Sequence, residues 1–72
     1  MKGFFVHKRW NGAWIQTNYL PFYAKSAKKA LKKYFIYANL DLNAVRAEQG
    51  CFDGDWNVVS DRGKSKYFKT KI

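Results

Sequence analysis

Residues 3–20 of the chain read GFFVHKRWNGAWIQTNYL, two runs rich in β-branched and aromatic residues on either side of Asn11-Gly12. An Asn-Gly pair between such runs signals a tight hairpin, because both central residues of a type I′ turn take positive φ. A two-residue turn sets Trp10 opposite Ala13, Arg9 opposite Trp14, Lys8 opposite Ile15, Val6 opposite Thr17 and Phe4 opposite Tyr19. Successive side chains of a strand point to opposite faces. Phe4, Val6, Lys8, Trp10, Ala13, Ile15 and Tyr19 therefore share the expected core face. Phe5, His7, Arg9, Trp14, Gln16 and Asn18 share the other. Pro21 ends regular pairing or sits at an edge, since it has no N–H to give to a ladder.

The stretch that follows changes period. Ala27, Ala30, Leu31, Tyr34, Phe35 and Ala38 recur at i, i+3, i+4 and i+7, which predicts an amphipathic helix over 26–38 with Ser26 as its N-cap. Lys25, Lys28, Lys29, Lys32 and Lys33 take the opposite arc, and Ile36 falls among them where a polar residue would be expected. Residues 39–50 admit two readings. Asp41 could cap a second helix, with Leu40 and Val45 as a hydrophobic staple and Gly50 as its stop. Alternatively, 43–49 is a strand that turns at Asp53-Gly54 to meet the next one, and the strand is the reading taken forward. Trp56–Ser60 and Lys66–Ile72 form a final hairpin around Arg62-Gly63-Lys64. The expected architecture is α+β: one domain over 1–72, four to five antiparallel strands in the order ββα(β)ββ, and one main helix packed on one face.

The charge is segregated. No acidic residue precedes Asp41, whereas Lys2, Lys8, Arg9, Lys25, Lys28, Lys29, Lys32 and Lys33 do. From Arg62 onward Lys64, Lys66, Lys69 and Lys71 follow, again without an acid, and the net charge is +9. Charge segregated in this way creates a field whose natural partner is phosphate or an acidic protein surface. A single Cys and a single His fall short of a Cys-based zinc site, and no metal or cofactor is expected. The absence of a disulfide pair fits a reducing compartment. The first ten residues lack the apolar run of a signal peptide and no segment is apolar enough to span a membrane, so the expected location is cytoplasmic.

Three constellations could carry function. The lysine arc of the helix could track a phosphate backbone. The plainer explanation is a solvated polar face, but no acid on that helix separates the lysines, and several sit near the positive end of its dipole, where a bound phosphate would relieve them. Arg9 beside Trp14, with Phe5 and His7 near, is patterned like a stacking platform with a cation at its rim, or else a cross-strand cation–π pair. The C-terminal lysines, with Tyr67 and Lys69 on one side and Phe68 on the other, could bind a partner or simply protect an edge strand from aggregation. Asp53-Gly54-Asp55 reads as a turn, since it lacks the ligand spacing of a calcium loop. Cys51 reads as a small buried residue. No nucleophile–base pair can be assembled, so the chain is not expected to be an enzyme. A ribonuclease would have to work with His7 and lysines alone.

Tyr23-Ala24-Lys25-Ser26-Ala27 leading into a helix with Ala30-Leu31, then Gly54-Asp55-Trp56-Asn57-Val58-Val59 and Asp61-Arg62-Gly63-Lys64 before an aromatic strand, resemble the small α+β accessory proteins of phages and mobile elements, including some anti-CRISPR proteins. The resemblance covers roughly residues 22–68, and the Asn11-Gly12 hairpin departs from it. It implies a non-enzymatic protein that docks on a host nucleoprotein, and it assigns no residue a role. Two functions are therefore expected. The first is a basic binding protein that engages DNA or RNA phosphates through Lys25, Lys28, Lys29, Lys32 and Lys33, around Ile36, with Arg9 and Trp14 as a second patch and little base specificity. The alternative is a phage or mobile-element inhibitor of a host nucleic-acid machine.

Overall fold

The computed structural model of the chain describes residues 1–38 and 41–69. Its elements run β1 (Lys2–Trp10), β2 (Ala13–Gln16), β3 (Phe22–Ala24), α1 (Ala27–Tyr37), α2 (Leu42–Glu48), β4 (Asp55–Ser60) and β5 (Ser65–Lys69). The strands form one five-stranded antiparallel sheet in the order β2-β1-β4-β5, with β3 also paired to β1. The α+β class is as expected from the sequence. The order of elements is not: a third strand precedes the helices, and two helices stand where one was expected.

The Asn11-Gly12 turn has φ of 48° and 80°, the positive pair a type I′ turn requires. It sets Trp10 opposite Ala13, Arg9 opposite Trp14 and Lys8 opposite Ile15. Beyond Gln16 the expected register fails. Thr17 still donates its backbone N–H to the Val6 carbonyl at 2.8 Å, but Phe4 pairs with Phe22 rather than Tyr19. The cause is Asn18, whose carboxamide takes the place of ladder residues. Its Oδ1 accepts from Val6 N–H at 2.7 Å, and its Nδ2 donates to the carbonyls of Phe4 (3.1 Å) and Leu20 (2.8 Å). With β1 satisfied by a side chain, Tyr19 and Leu20 loop outward into solvent, and the chain re-enters the sheet after Pro21 as β3.

Alternation on the sheet selects the core. Phe4 and Val6 of β1 and Trp56, Val58 and Ser60 of β4 are buried on one face, where α1 lies across β3, β1 and β4. Ala30, Leu31 and Phe35 come down from α1, and Phe35 packs against Trp56 and Phe52 with ring centroids 4.9 and 5.5 Å apart. Burial of Phe35, Leu31, Val6 and Val58 stabilises the fold by about 1.5–3 kcal/mol each. The expected core face holds only for its first half, since Trp10, Ile15 and Tyr19 are exposed.

The strand expected over 43–49 is instead helix α2, Leu42–Glu48. Asn43, Ala44 and Ala47 turn inward at helical rather than alternating spacing, with Ala47 buried, and Gly50 at φ 83° stops the helix. Ala, Arg and Glu favour helix, and no strand partner competes for them. Asp41 stands at the N-cap position but makes no side-chain cap bond. The Leu40–Val45 staple rests on a residue outside those described. The final hairpin turns at Arg62-Gly63, where the Ser60 hydroxyl accepts from the N–H groups of Arg62 and Lys64 at 3.3 and 3.2 Å. Thr70, Lys71 and Ile72 of the expected last strand lie outside the described residues.

Asn18 yields the first prediction. Replacing it by Ala strands the Val6 N–H and the Phe4 carbonyl, and is expected to cost about 2–4 kcal/mol in urea unfolding. Tyr19→Ala, one residue on and exposed, should stay within about 0.5 kcal/mol of the parent.

Candidate nucleic-acid interface

Ser26 caps α1, its hydroxyl accepting from Lys29 N–H at 3.3 Å. The helical period that buries Leu31 and Phe35 turns Lys28, Lys29, Lys32, Lys33 and Ile36 away from the sheet. The structure splits this expected arc. Lys32 makes an ion pair with Glu48 of α2 at 3.0 Å. Lys33 donates to the Tyr23 carbonyl at 2.6 Å and ties α1 to β3. Lys25, Lys28 and Lys29 have no ion-pair partner among the described residues. Ile36 is exposed, as its place among the lysines suggested. No acid lies on α1 itself, as the sequence shows, yet the fold brings one to Lys32. The acid comes from a second helix that had been read as a strand.

Beyond α2 the chain turns at Gly50 and passes beside Lys28. A Cβ placed on Gly50 would stand 3.6 Å from the Lys28 Nζ. Here α1, the 50–53 segment and β5 enclose a groove of about 460 Å³. Among the described residues four cations reach it, Lys28, Arg46, Lys66 and Lys69, together with the rings of Phe52 and Phe68. The one acid in its wall, Asp53, is paired with Arg46 at 3.2 Å. Lys66 stands 5.6 Å over the Phe68 ring, since both side chains leave β5 on the helix-bearing face. A shallower groove next to it is walled by Lys28, Lys29 and Lys32, so Lys28 faces both. Arg46 is not among the candidates read from the sequence, and Lys66 and Lys69 belong to the C-terminal constellation left open there between binding and edge protection. Arg46 sat in the ambiguous segment.

The opposite face of the sheet carries the second expected patch. Arg9 stands 5.8 Å over the Trp14 ring, the cation–π pair predicted from the turn. Trp14 also meets Tyr67 of β5 edge-on, with centroids 5.5 Å apart and planes at 90°. Lys8 projects to the other side, 5.9 Å from both Trp10 and Trp56. The two expected patches, the α1 lysines and Arg9–Trp14, therefore lie on opposite faces of the sheet. Lys69 bridges them: it lines the groove, yet alternation places it beside Tyr67 on the outer face.

Asp53-Gly54-Asp55 is a turn, with Gly54 at φ 101° and the Asp53 carbonyl accepting from the Trp56 indole at 2.7 Å. Cys51 is exposed at the groove rather than buried as expected, because the chain there has left α2 and not yet entered β4. Among the described residues no three His, Cys, Asp or Glu side chains gather as they would around a metal ion, and no helix is long and apolar enough to cross a membrane. Compared with known proteins, the chain matches no family model, no curated protein and no solved structure.

Proposed function

We propose that the chain is a non-catalytic nucleic-acid-binding protein whose groove takes the phosphate backbone. One observation carries this reading. Basic residues from opposite ends of the sequence, Lys28 in the first block and Lys66 and Lys69 in the last, converge on one groove, where Arg46 already holds the only acid among the described lining residues. Like charges brought together repel, so the convergence raises the local potential at a cost that a polyanion would offset. Lys29 of the adjoining helix and Lys25, just before its cap, extend the positive surface outward. Lysine contacts position a backbone and carry little sequence information, so low base specificity follows.

A second reading, docking on a host nucleoprotein as a phage or mobile-element inhibitor, draws support from apolar residues exposed on the two successive helices: Ile36 and Tyr37 on α1, Leu42 and Val45 on α2. It predicts that a protein partner is retained in a pull-down after nuclease treatment and lost with Ile36→Asp.

The nucleic-acid reading is tested by anisotropy titrations of labelled DNA and RNA over a range of salt. Affinity should fall steeply with salt, and Lys28→Ala and Lys66→Ala should each reduce the log–log slope by about 0.7–0.9. Undetectable binding at about 50 mM salt would sink it. Glu48→Gln releases Lys32, and is expected to steepen the slope by up to a similar amount while moving stability by less than about 1 kcal/mol.

A further inference from the structure

α1 packs on one face of the sheet, and α2 packs against α1. On the other face the side chains of β1 and β4 that alternate with the core, namely Phe5, His7, Asp55, Asn57 and Val59, are only half-buried. One row across this face runs Gln16, His7, Asn57, Tyr67 by strand register. Trp14 stands two residues from Gln16 on the same side of β2. In the order β2-β1-β4-β5, three strand spacings separate Trp14 from Tyr67. That is about 14 Å at the usual spacing between neighbours. Their ring centroids are nevertheless 5.5 Å apart. Both side chains must therefore lean inward over β1 and β4, and what lies beneath them is His7 and Asn57.

One observation shows what this arrangement lacks. The His7 Nδ1 is shut off from solvent and makes no hydrogen bond among the described residues. Asn57, its register partner on β4, is half-buried and places a carboxamide beside it. A buried polar atom without a partner is costly, and a protein seldom keeps one without a use for it. Two aromatic rings above an unsatisfied imidazole nitrogen and a half-buried carboxamide match an unpaired nucleobase, which offers a flat π-face for stacking and an edge of donors and acceptors. A base held in a duplex offers neither. Charge agrees with a strand passing over the face. Arg9 lies on the Trp14 side and Lys69 on the Tyr67 side, while Asp55, across from Lys69, is the acid between them. Because Lys69 also lines the groove, a backbone held there can continue around the β5 edge onto this face.

We propose that the open sheet face receives an unpaired base of a single-stranded nucleic acid between Trp14 and Tyr67, with His7 and Asn57 bonding to its edge. The proposal rests on the nucleic-acid reading above and adds to it a preference for single strands. Entry of a base requires the two rings to part, which their edge-on contact on an exposed surface permits.

The test compares a labelled single-stranded oligonucleotide of about twelve nucleotides with its duplex, by fluorescence anisotropy on the full chain. The single strand should bind more tightly. Trp14→Ala and Tyr67→Ala should each weaken single-strand binding about tenfold, leaving duplex affinity and the salt slope unchanged. Trp14→Phe, which keeps a stacking ring, should retain most of the affinity. Should Trp14→Ala disturb the hairpin, as judged by circular dichroism, Tyr67→Ala and Asn57→Ala decide the matter. If these variants bind like the parent while Lys28→Ala and Lys66→Ala weaken binding, the platform is overturned and the nucleic-acid reading stands. If neither single strand nor duplex binds at about 50 mM salt, both fall. If Trp14→Ala releases a co-purifying protein yet leaves single-strand affinity intact, the face belongs to a protein partner and the proposal is wrong.

Discussion

A single strand, β1, holds this sheet together, and it can do so only because Asn18 lets it take two partners along one edge. β4 occupies the other edge of β1 from Phe4 to Lys8. On the near edge β2 covers His7 to Trp10 and β3 covers Lys2 to Phe4, with a gap between them. Backbone polar groups left bare in that gap would carry the full penalty of desolvation. One carboxamide, with an acceptor and two donor hydrogens, closes it. The consequences spread outward. β3 returns the chain to the far end of the sheet, so that α1 starts there and crosses β3, β1 and β4. The helix layer then leaves Trp10 and Ile15 exposed at the hairpin tip.

A domain this small has little room for a core, and aromatic rings fill most of it. Tyr34, Phe35, Phe52, Trp56 and Phe68 touch in sequence on the helix-bearing face. Rings bring a large buried area for few ordered torsions, which suits a chain that must offset its conformational entropy with few side chains. The described residues form no third layer, so they leave the far side of the sheet open. Aromatic and cationic residues collect there without the task of holding the fold, and the groove forms where the helix layer ends at β5.

Much of this was legible along the sequence. Asn11-Gly12 announced the hairpin and its register as far as Lys8 and Ile15, because a type I′ turn is local and determines which residues face each other. The apolar stripe from Ala27 to Ala38 with Ser26 before it announced α1 and its cap. The Arg9–Trp14 contact followed from register alone. The failures share a cause. Tyr19 looked like a core residue because alternation was extended through Asn18, whose bonds reach Val6 and Phe4, remote in sequence. Residues 43–49 looked equally fit for strand or helix. What decided them was Ala47 packing against α1 and Arg46 pairing with Asp53, neither of which spacing reveals.

The sequence by itself determined the local turns, the main helix, the α+β class and the segregation of charge into two blocks, since these depend on residues within a few positions of one another. Only the tertiary structure decided where the charge acts. Pairing β5 to β4 and folding α2 back along α1 bring Lys66 and Lys69 to Lys28, set Glu48 against Lys32, and carry Tyr67 across the sheet to Trp14. Fields and ring contacts depend on distance in space, and in this chain those distances are set by strand order and helix packing, which no local pattern encodes.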